Sequence, residues 1–248
     1  MVGGGLWQRV ETVASTGSTN ADLAAAARSG APGGLVLVAD HQKCGRGRLD
    51  RTWTAPPRAA VGVSVMLRPE GMPAARWPWL PLVAGLAVAE ALREAAGADA
   101  RVKWPNDVLV GGKKICGILA ERVDGGGGPA VVVGMGVNTA MTAAQLPVAA
   151  ATSLAVLGLP SEPGPVVVSI LRRFEVWYGR WLSGTDLVAG YTRACDTIGR
   201  RVRVIVGEPS AQSAVEGEAV GVDGDGHLLV DTDGCVRAFA AGDVTHVR

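Results

Sequence analysis

The feature that most constrains this chain is a change of hydrophobic period near Ile198. Upstream, long segments with apolar residues at helical spacing alternate with short apolar runs of strand type. Downstream, only short alternating runs remain, separated by turns such as Gly224-Asp225-Gly226 and Asp233-Gly234. A switch of this kind predicts an α/β (α+β) domain over residues 1–196, followed by a small all-β barrel over residues 197–248. The length of 248 residues suits one to two domains of about 150 residues each.

Within the first region, Ser18 caps a predicted helix to about residue 28, stopped by Gly30 and Pro32. Residues 35–39 and 61–67 read as strands, with Val61, Val63, Val65 and Leu67 on one face. Residues 79–96 read as a buried helix, being nearly apolar all round until Glu90. Strands follow at 101–104, 108–110, 115–122 and 130–133, with a hairpin at Gly111-Gly112. Residues 167–181 repeat apolar side chains at helical spacing, so the aromatics there belong to the core. The β module has runs at 202–206, 214–222, 228–230, 236–239 and 244–247.

Composition narrows the function classes. With 24 basic and 23 acidic residues, the net charge of +1 argues against a general polyanion-binding surface, so no DNA partner is expected. The four cysteines form no CxxC pair, which fits a reducing compartment and neither a zinc site nor a disulfide scaffold. Neither a signal peptide nor a membrane span is evident. The longest charge-free apolar run, residues 77–89, contains two prolines and falls short of the roughly 20 residues a bilayer requires. A cytoplasmic protein is expected.

Three segments carry candidate chemistry. In Gly45-Arg46-Gly47-Arg48, with Arg51 and Trp53 following, glycines permit close backbone approach and guanidinium groups suit phosphate or carboxylate oxygens. A solvated basic loop is the alternative. Two glycines and three like charges also predict a loop that closes only when anions arrive. Lys103-Trp104-Pro105-Asn106-Asp107 places an ammonium, an amide and a carboxylate at a strand end, with a plain turn as the alternative. Lys113 and Lys114 open the next strand, and neighbours on a strand face opposite ways, so at most one looks into a site. Gly134-Met135-Gly136-Val137-Asn138 follows an apolar strand and reads most simply as a tight turn. It is not a dinucleotide fingerprint, because Thr139 stands where a third glycine is needed.

Taken in order, these segments resemble the biotin–protein ligases. The resemblance runs through Ser18-Thr19-Asn20, Gln42 with the arginine segment and Trp53, the segment from Lys103 to Asp107, Lys114 to Glu121 by way of Gly117, and Gly134 to Asn138. It implies a catalytic domain similar to class II aminoacyl-tRNA synthetases, a mixed sheet flanked by helices, with a C-terminal SH3-like β-barrel. The Ser18 motif arrives early in the chain, which resembles the monofunctional form without a DNA-binding repressor domain.

The resemblance implies roles residue by residue. Ser18, Thr19, Asn20, Gln42, Gly47 and Gly117 would contact biotin. Arg46, Arg48 and Lys114 would serve both biotin binding and catalysis. Arg48, Arg51, Trp53, Lys103, Asn106, Asn138 and Arg248 would contact the nucleotide, and Asp107 would hold Mg²⁺. The implied reaction activates biotin with MgATP as biotinyl-5′-AMP and transfers it to a lysine of a biotin carboxyl carrier domain of an acyl-CoA carboxylase or related enzyme. No tightly bound metal is expected. A lipoate–protein ligase of the same fold and a non-catalytic biotin-responsive regulator are the alternatives.

Overall fold

A computed structural model describes residues 5–207 and 213–247; Arg248 lies outside the described residues. The chain opens with β1 (Arg9–Val13), then α1 (Thr19–Arg28) and β2 (Leu35–Ala39). A miniature hairpin follows, β3 (Gly45–Arg46) and β4 (Thr52–Trp53). Next come β5 (Ala60–Leu67), α2 (Trp79–Ala96), β6 (Ala100–Lys103), β7 (Asp107–Val110), β8 (Lys113–Val123) and β9 (Ala130–Asn138). Two helices, α3 (Pro163–Leu182) and α4 (Val188–Ala194), precede the last strands. These are β10 (Arg201–Val206), β11 (Ser213–Val222), β12 (Leu228–Thr232), β13 (Cys235–Phe239) and β14 (Asp243–His246).

Seven strands form a mixed sheet in the order β1-β2-β5-β9-β8-β7-β6. Only β1 and β2 run parallel. On one face, α2 and α3 bury Val61, Val63, Val65 and Leu67 in the main core. On the other, Leu23, Ala24 and Ala27 of α1 pack on Leu37, Met66 and Val132. All eight residues of β5 are therefore buried, although the sequence pattern advertised only one face. The second face hides its signal because it carries Gly62 and Ser64, which leave room for other side chains.

Local chemistry sets the helix limits. Ser18, in extended geometry, accepts a hydrogen bond from the Ala21 amide and so caps α1. Gly97 closes α2 at φ 69°, a left-handed C-cap that a side chain would strain. Pro163 starts α3 earlier than the apolar spacing indicated, since proline is well suited to the first helical turn. The sequence missed β1, an edge strand with exposed residues and no periodicity to read.

The C-terminal strands form one antiparallel sheet, β13-β12-β11-β10-β14. The expected barrel is not closed: among the described residues no hydrogen-bonded ladder joins β13 to β14. Five short strands bury one face against the first domain instead, so closure is not needed to cover their apolar residues. Val202, Val204, Leu228 and Val230 belong to the same continuous core as α2. Polar ties fix the docking. The indole nitrogens of Trp79 and Trp104 donate to the carbonyls of Gly224 and Gly226, at 2.8 and 3.1 Å. The Trp104 amide donates to Thr197 Oγ1 at 3.1 Å.

Candidate active site

A row of aligned residues crosses the α1 side of the large sheet. Gly62 on β5 pairs with Gly136 on β9, which pairs with Gly117 on β8. Asp107 on β7 and Lys103 on β6 continue the same row. Partners across an antiparallel ladder share a face, so three glycines in line leave a trough in the sheet. Larger side chains lie in it. A Cβ on Gly62 would fall 2.8 Å from Gln42 Nε2, and one on Gly136 would fall 2.6 Å from the Trp53 indole. Trp53 also spans Gly117, whose Cβ would fall 3.1 Å from the ring. One register step away, Gly134 lies beneath the Asn20 side chain. The reading of Gly134 to Asn138 as a tight turn is therefore corrected. These residues are the second half of β9, and their glycines are absences of side chain, not turn formers.

Gly117, Gly134 and Gly136 of this trough line a cavity of about 510 Å³ that reaches the β module through Ile205, Asp243 and Thr245. At one end a hydrogen-bonded relay surrounds the start of α1. The Thr19 amide and Oγ1 donate to Gln42 Oε1 at 2.9 and 3.1 Å. Thr19 Oγ1 lies 2.6 Å from Ser64 Oγ, which donates to Asn20 Oδ1 at 2.6 Å. Asn20 Nδ2 donates to Leu119 O at 3.2 Å and Glu121 Oε2 at 2.8 Å. Ser18, Thr19, Asn20 and Ser64 are all buried.

At the other end cations converge. Lys114 Nζ lies 2.6 Å from Asp107 Oδ1, a buried oxygen that has this ammonium beside it off the hydrogen-bond axis and no better aligned donor. The backbone of Lys114 is strapped to a later segment, its amide donating to Ala150 O and its carbonyl accepting from Thr152, each at 2.8 Å. Lys113 is exposed and outside the cavity, as strand alternation requires. Burial holds the Lys103 ammonium below the usual lysine range, with Asp107 opposing that shift and Lys114 adding to it. Burial likewise lowers the Arg48 guanidinium, against the pull of Asp243 and Asp107.

The arginine segment is the β3–β4 hairpin. Its two central turn residues, Leu49 and Asp50, have φ of 52° and 56°, the left-handed pair of a tight hairpin turn. Its like charges are countered by the protein's own carboxylates, which the sequence expectation had not foreseen. Arg46 pairs with Glu121 at 2.9 Å. Arg48 donates to Asn106 Oδ1 at 3.0 Å and Gly242 O at 3.1 Å, with Asp243 3.7 Å away. Arg51 pairs with the same Asp243.

Ser18, Thr19, Asn20, Gln42, Arg46, Gly47, Arg48, Arg51, Trp53, Lys103, Asn106, Asp107, Lys114 and Gly117 thus line one cavity. Asn138 does not: it is buried and its amide nitrogen donates to Thr152 O at 3.0 Å, holding the strap behind Lys114. Arg248, expected near the nucleotide, lies outside the described residues. Asp107, expected as a Mg²⁺ ligand, lines the same cavity beside the Lys114 ammonium. Three residues escaped sequence reasoning. Ser64 is one polar residue in an apolar strand, Glu121 carries no local signal of its own, and Asp243 is 192 residues from the Arg51 it meets.

Comparison with known proteins adds independent findings. Residues 13–138 match the model of the biotin/lipoate A/B protein ligase family, and residues 197–247 match that of the biotin protein ligase C terminal domain. The chain is 41% identical to a biotin–[acetyl-CoA-carboxylase] ligase of Mycobacterium tuberculosis, over 98% of this chain and 90% of the relative. It is 32% identical to a bifunctional ligase/repressor BirA of Bacillus subtilis, over 94% of this chain and 72% of the relative. Its fold superposes on the biotin protein ligase from Aquifex aeolicus in complex with biotin and ATP. The TM-score there is 0.82 at 26% identity, covering 98% of this chain and all of that one.

Proposed function

Because the chain belongs to the biotin/lipoate A/B protein ligase family, within its biotin protein ligases, we propose that it activates biotin with ATP and transfers it to a protein lysine. The carrying observation is one continuous cavity with a neutral hydrogen-bonding end and a cationic end. Biotin joins a ureido ring, rich in donors and acceptors, to a carboxylate. Thr19, Asn20, Gln42 and Ser64 suit the ring, and the carboxylate then points toward Lys114, Arg46 and Arg48.

The first half-reaction joins the biotin carboxylate to the α-phosphorus of ATP, with pyrophosphate leaving. The carboxylate is ionised at neutral pH and needs no base. The obstacle is bringing an anion to a polyanion. Arg46, Arg48, Lys103 and Lys114 lower it by presenting fixed positive charge where negative charge crowds in the transition state. Asp107 holds the Lys114 ammonium in place, and the strap at Ala150 and Thr152 holds its backbone, so little reorganisation remains for the moment of attack. Asp107, a carboxylate in the lining of the cationic end, would hold Mg²⁺, which would supply further positive charge to the ATP phosphates. In the second half-reaction an acceptor lysine attacks the mixed anhydride, and AMP leaves into the same cationic end. A biotin carboxyl carrier domain is the proposed acceptor.

The relay also speaks against lipoate as substrate, since a dithiolane ring offers neither N–H nor carbonyl to the lone pairs and N–H groups the relay leaves over. The test is mass spectrometry of a biotin carboxyl carrier domain incubated with the protein, MgATP and either biotin or lipoate. A biotinyl adduct that requires ATP is expected. A lipoyl adduct, or no adduct at all, would refute the proposal.

A further inference from the structure

Glu121 lies beyond the neutral end of the cavity, next to Asn20, and its carboxylate has two unlike partners. Oε2 accepts from Asn20 Nδ2 at 2.8 Å and from the Arg46 guanidinium at 2.9 Å. The first partner belongs to the buried floor at the start of α1. The second belongs to the β3–β4 hairpin, and its side chain is 44% exposed. Glu121 is therefore the side chain through which the first arginine of the hairpin is tied to the ring-binding floor.

An ionised carboxylate carries no proton and can only accept. Asn20 must therefore turn its amide nitrogen toward Glu121, which leaves Oδ1 facing Ser64. The single Ser64 proton then goes to Asn20, as its 2.6 Å bond requires. With that proton spent, Thr19 is the donor in its 2.6 Å contact with Ser64, and it shares its one hydroxyl proton between Ser64 Oγ and Gln42 Oε1 at 3.1 Å. The lone pairs of Thr19 Oγ1 are left as the outlet of the relay. A ligand facing Thr19 must then supply a donor, such as a ring N–H. The direction of every hydrogen bond from Glu121 to Thr19 is thus set at the far end by the Glu121 carboxylate together with the Leu119 carbonyl.

We infer that Glu121 is a positioning residue that fixes the donor and acceptor sense of the ring pocket and docks Arg46 over it, coupling ring recognition to placement of the arginine hairpin. It touches neither end of the reacting bond and acts through Asn20 and Arg46. The inference rests on the proposal that biotin is the substrate, and it adds a residue and a reason for selecting N–H-bearing rings. A neutral amide in place of the carboxylate keeps the shape but presents a donor as readily as an acceptor. Leu119 O still accepts from Asn20 Nδ2, but the charged acceptor that favours the same orientation is gone, so the sense of the relay is held less firmly.

The test compares Glu121→Gln with Ser64→Ala, each shown to be folded by circular dichroism and its melting temperature. For E121Q the KM for biotin should rise about tenfold or more, the scale of one charged hydrogen bond replaced by a neutral one. Its kcat should fall by less than its KM rises, because Arg48, Lys103 and Lys114 keep their partners and only Arg46 loses one. Biotin should also slow tryptic cleavage of the hairpin less in E121Q than in wild type. S64A cuts the relay but leaves the Glu121–Arg46 pair, so it should raise KM while retaining biotin-dependent protection. A folded E121Q with wild-type KM and wild-type protection would overturn the inference alone. Wild-type protein that does not turn over biotin would overturn the substrate proposal, and this inference with it.

Discussion

Gly136→Ala tests whether the glycine trough, and not turn geometry, is what the second half of β9 contributes. The added methyl would fall 2.6 Å from one indole atom of Trp53 and 2.8 Å from the next. Carbon atoms in good contact lie about 3.5–4.0 Å apart, so the indole must retreat by about 1 Å. Sliding sideways over β8 would run it into the Lys114 side chain, because Lys114 Cε and the Trp53 ring both lie 3.1 Å from the same point above Gly117. It must lift off the sheet, and it takes with it β4 and the paired β3 that carries Arg46. Overpacking of this kind costs about 1–3 kcal/mol, equivalent to about 5- to 150-fold in an equilibrium. A displacement of 1 Å at charges that stabilise a transition state costs up to about 10²-fold in rate. Biotin-dependent pyrophosphate exchange should therefore fall by one to two orders of magnitude. The matched control is Gly164→Ala, where the new methyl meets nothing within 4 Å. Wild-type exchange in G136A, or equal losses in both variants, would refute the reasoning.

Other perturbations separate the remaining parts of the site. Lys114→Ala should lower the adenylation rate by about 10²-fold, roughly 3 kcal/mol of lost electrostatic stabilisation, whereas Lys113→Ala should cost less than about threefold; pyrophosphate exchange decides, and equal effects would sink the assignment. Asp243→Ala removes the shared partner of Arg48 and Arg51, so trypsin should cut the ligand-free hairpin several times faster than in wild type, with unchanged cleavage as the contrary result. Lys103 sits below its ordinary range because it is buried. The unfolded chain therefore binds more protons than the native one between the lowered pKa and the ordinary lysine value of 10.5, and stability contributed by this group rises with pH through that window. Lys103→Met should accordingly raise the melting temperature at neutral pH, by a margin that shrinks toward pH 10, while slowing adenylation; a lower melting temperature at pH 7 in a folded variant would contradict the sign.

Much of this protein was legible in the chain itself. The helices of residues 19–28 and 79–96, most strands of the large sheet and the switch to β structure near Ile198 follow from hydrophobic period, caps and turns, which act between near neighbours. The opposite facing of Lys113 and Lys114 follows from strand alternation alone. The gathering of Ser18, the arginine segment, Lys103 and Lys114 was implied by motif order, though no local rule could place them together. What only the tertiary structure decided depends on partners far apart in sequence. A glycine in a strand and a glycine in a turn look alike in one dimension, and the difference at Gly136 is the Trp53 ring that needs its space. A buried serine in an apolar run, Ser64, acquires meaning only when Asn20 and Thr19 arrive beside it. The carboxylates that counter the arginines come from β8 and from β14 in the second module, so the sequence showed three like charges where the fold holds ion pairs. Backbone preference is written residue by residue, whereas a hydrogen-bond direction, a charge partner and a hollow in a sheet are properties of surfaces that exist only once the sheet is assembled.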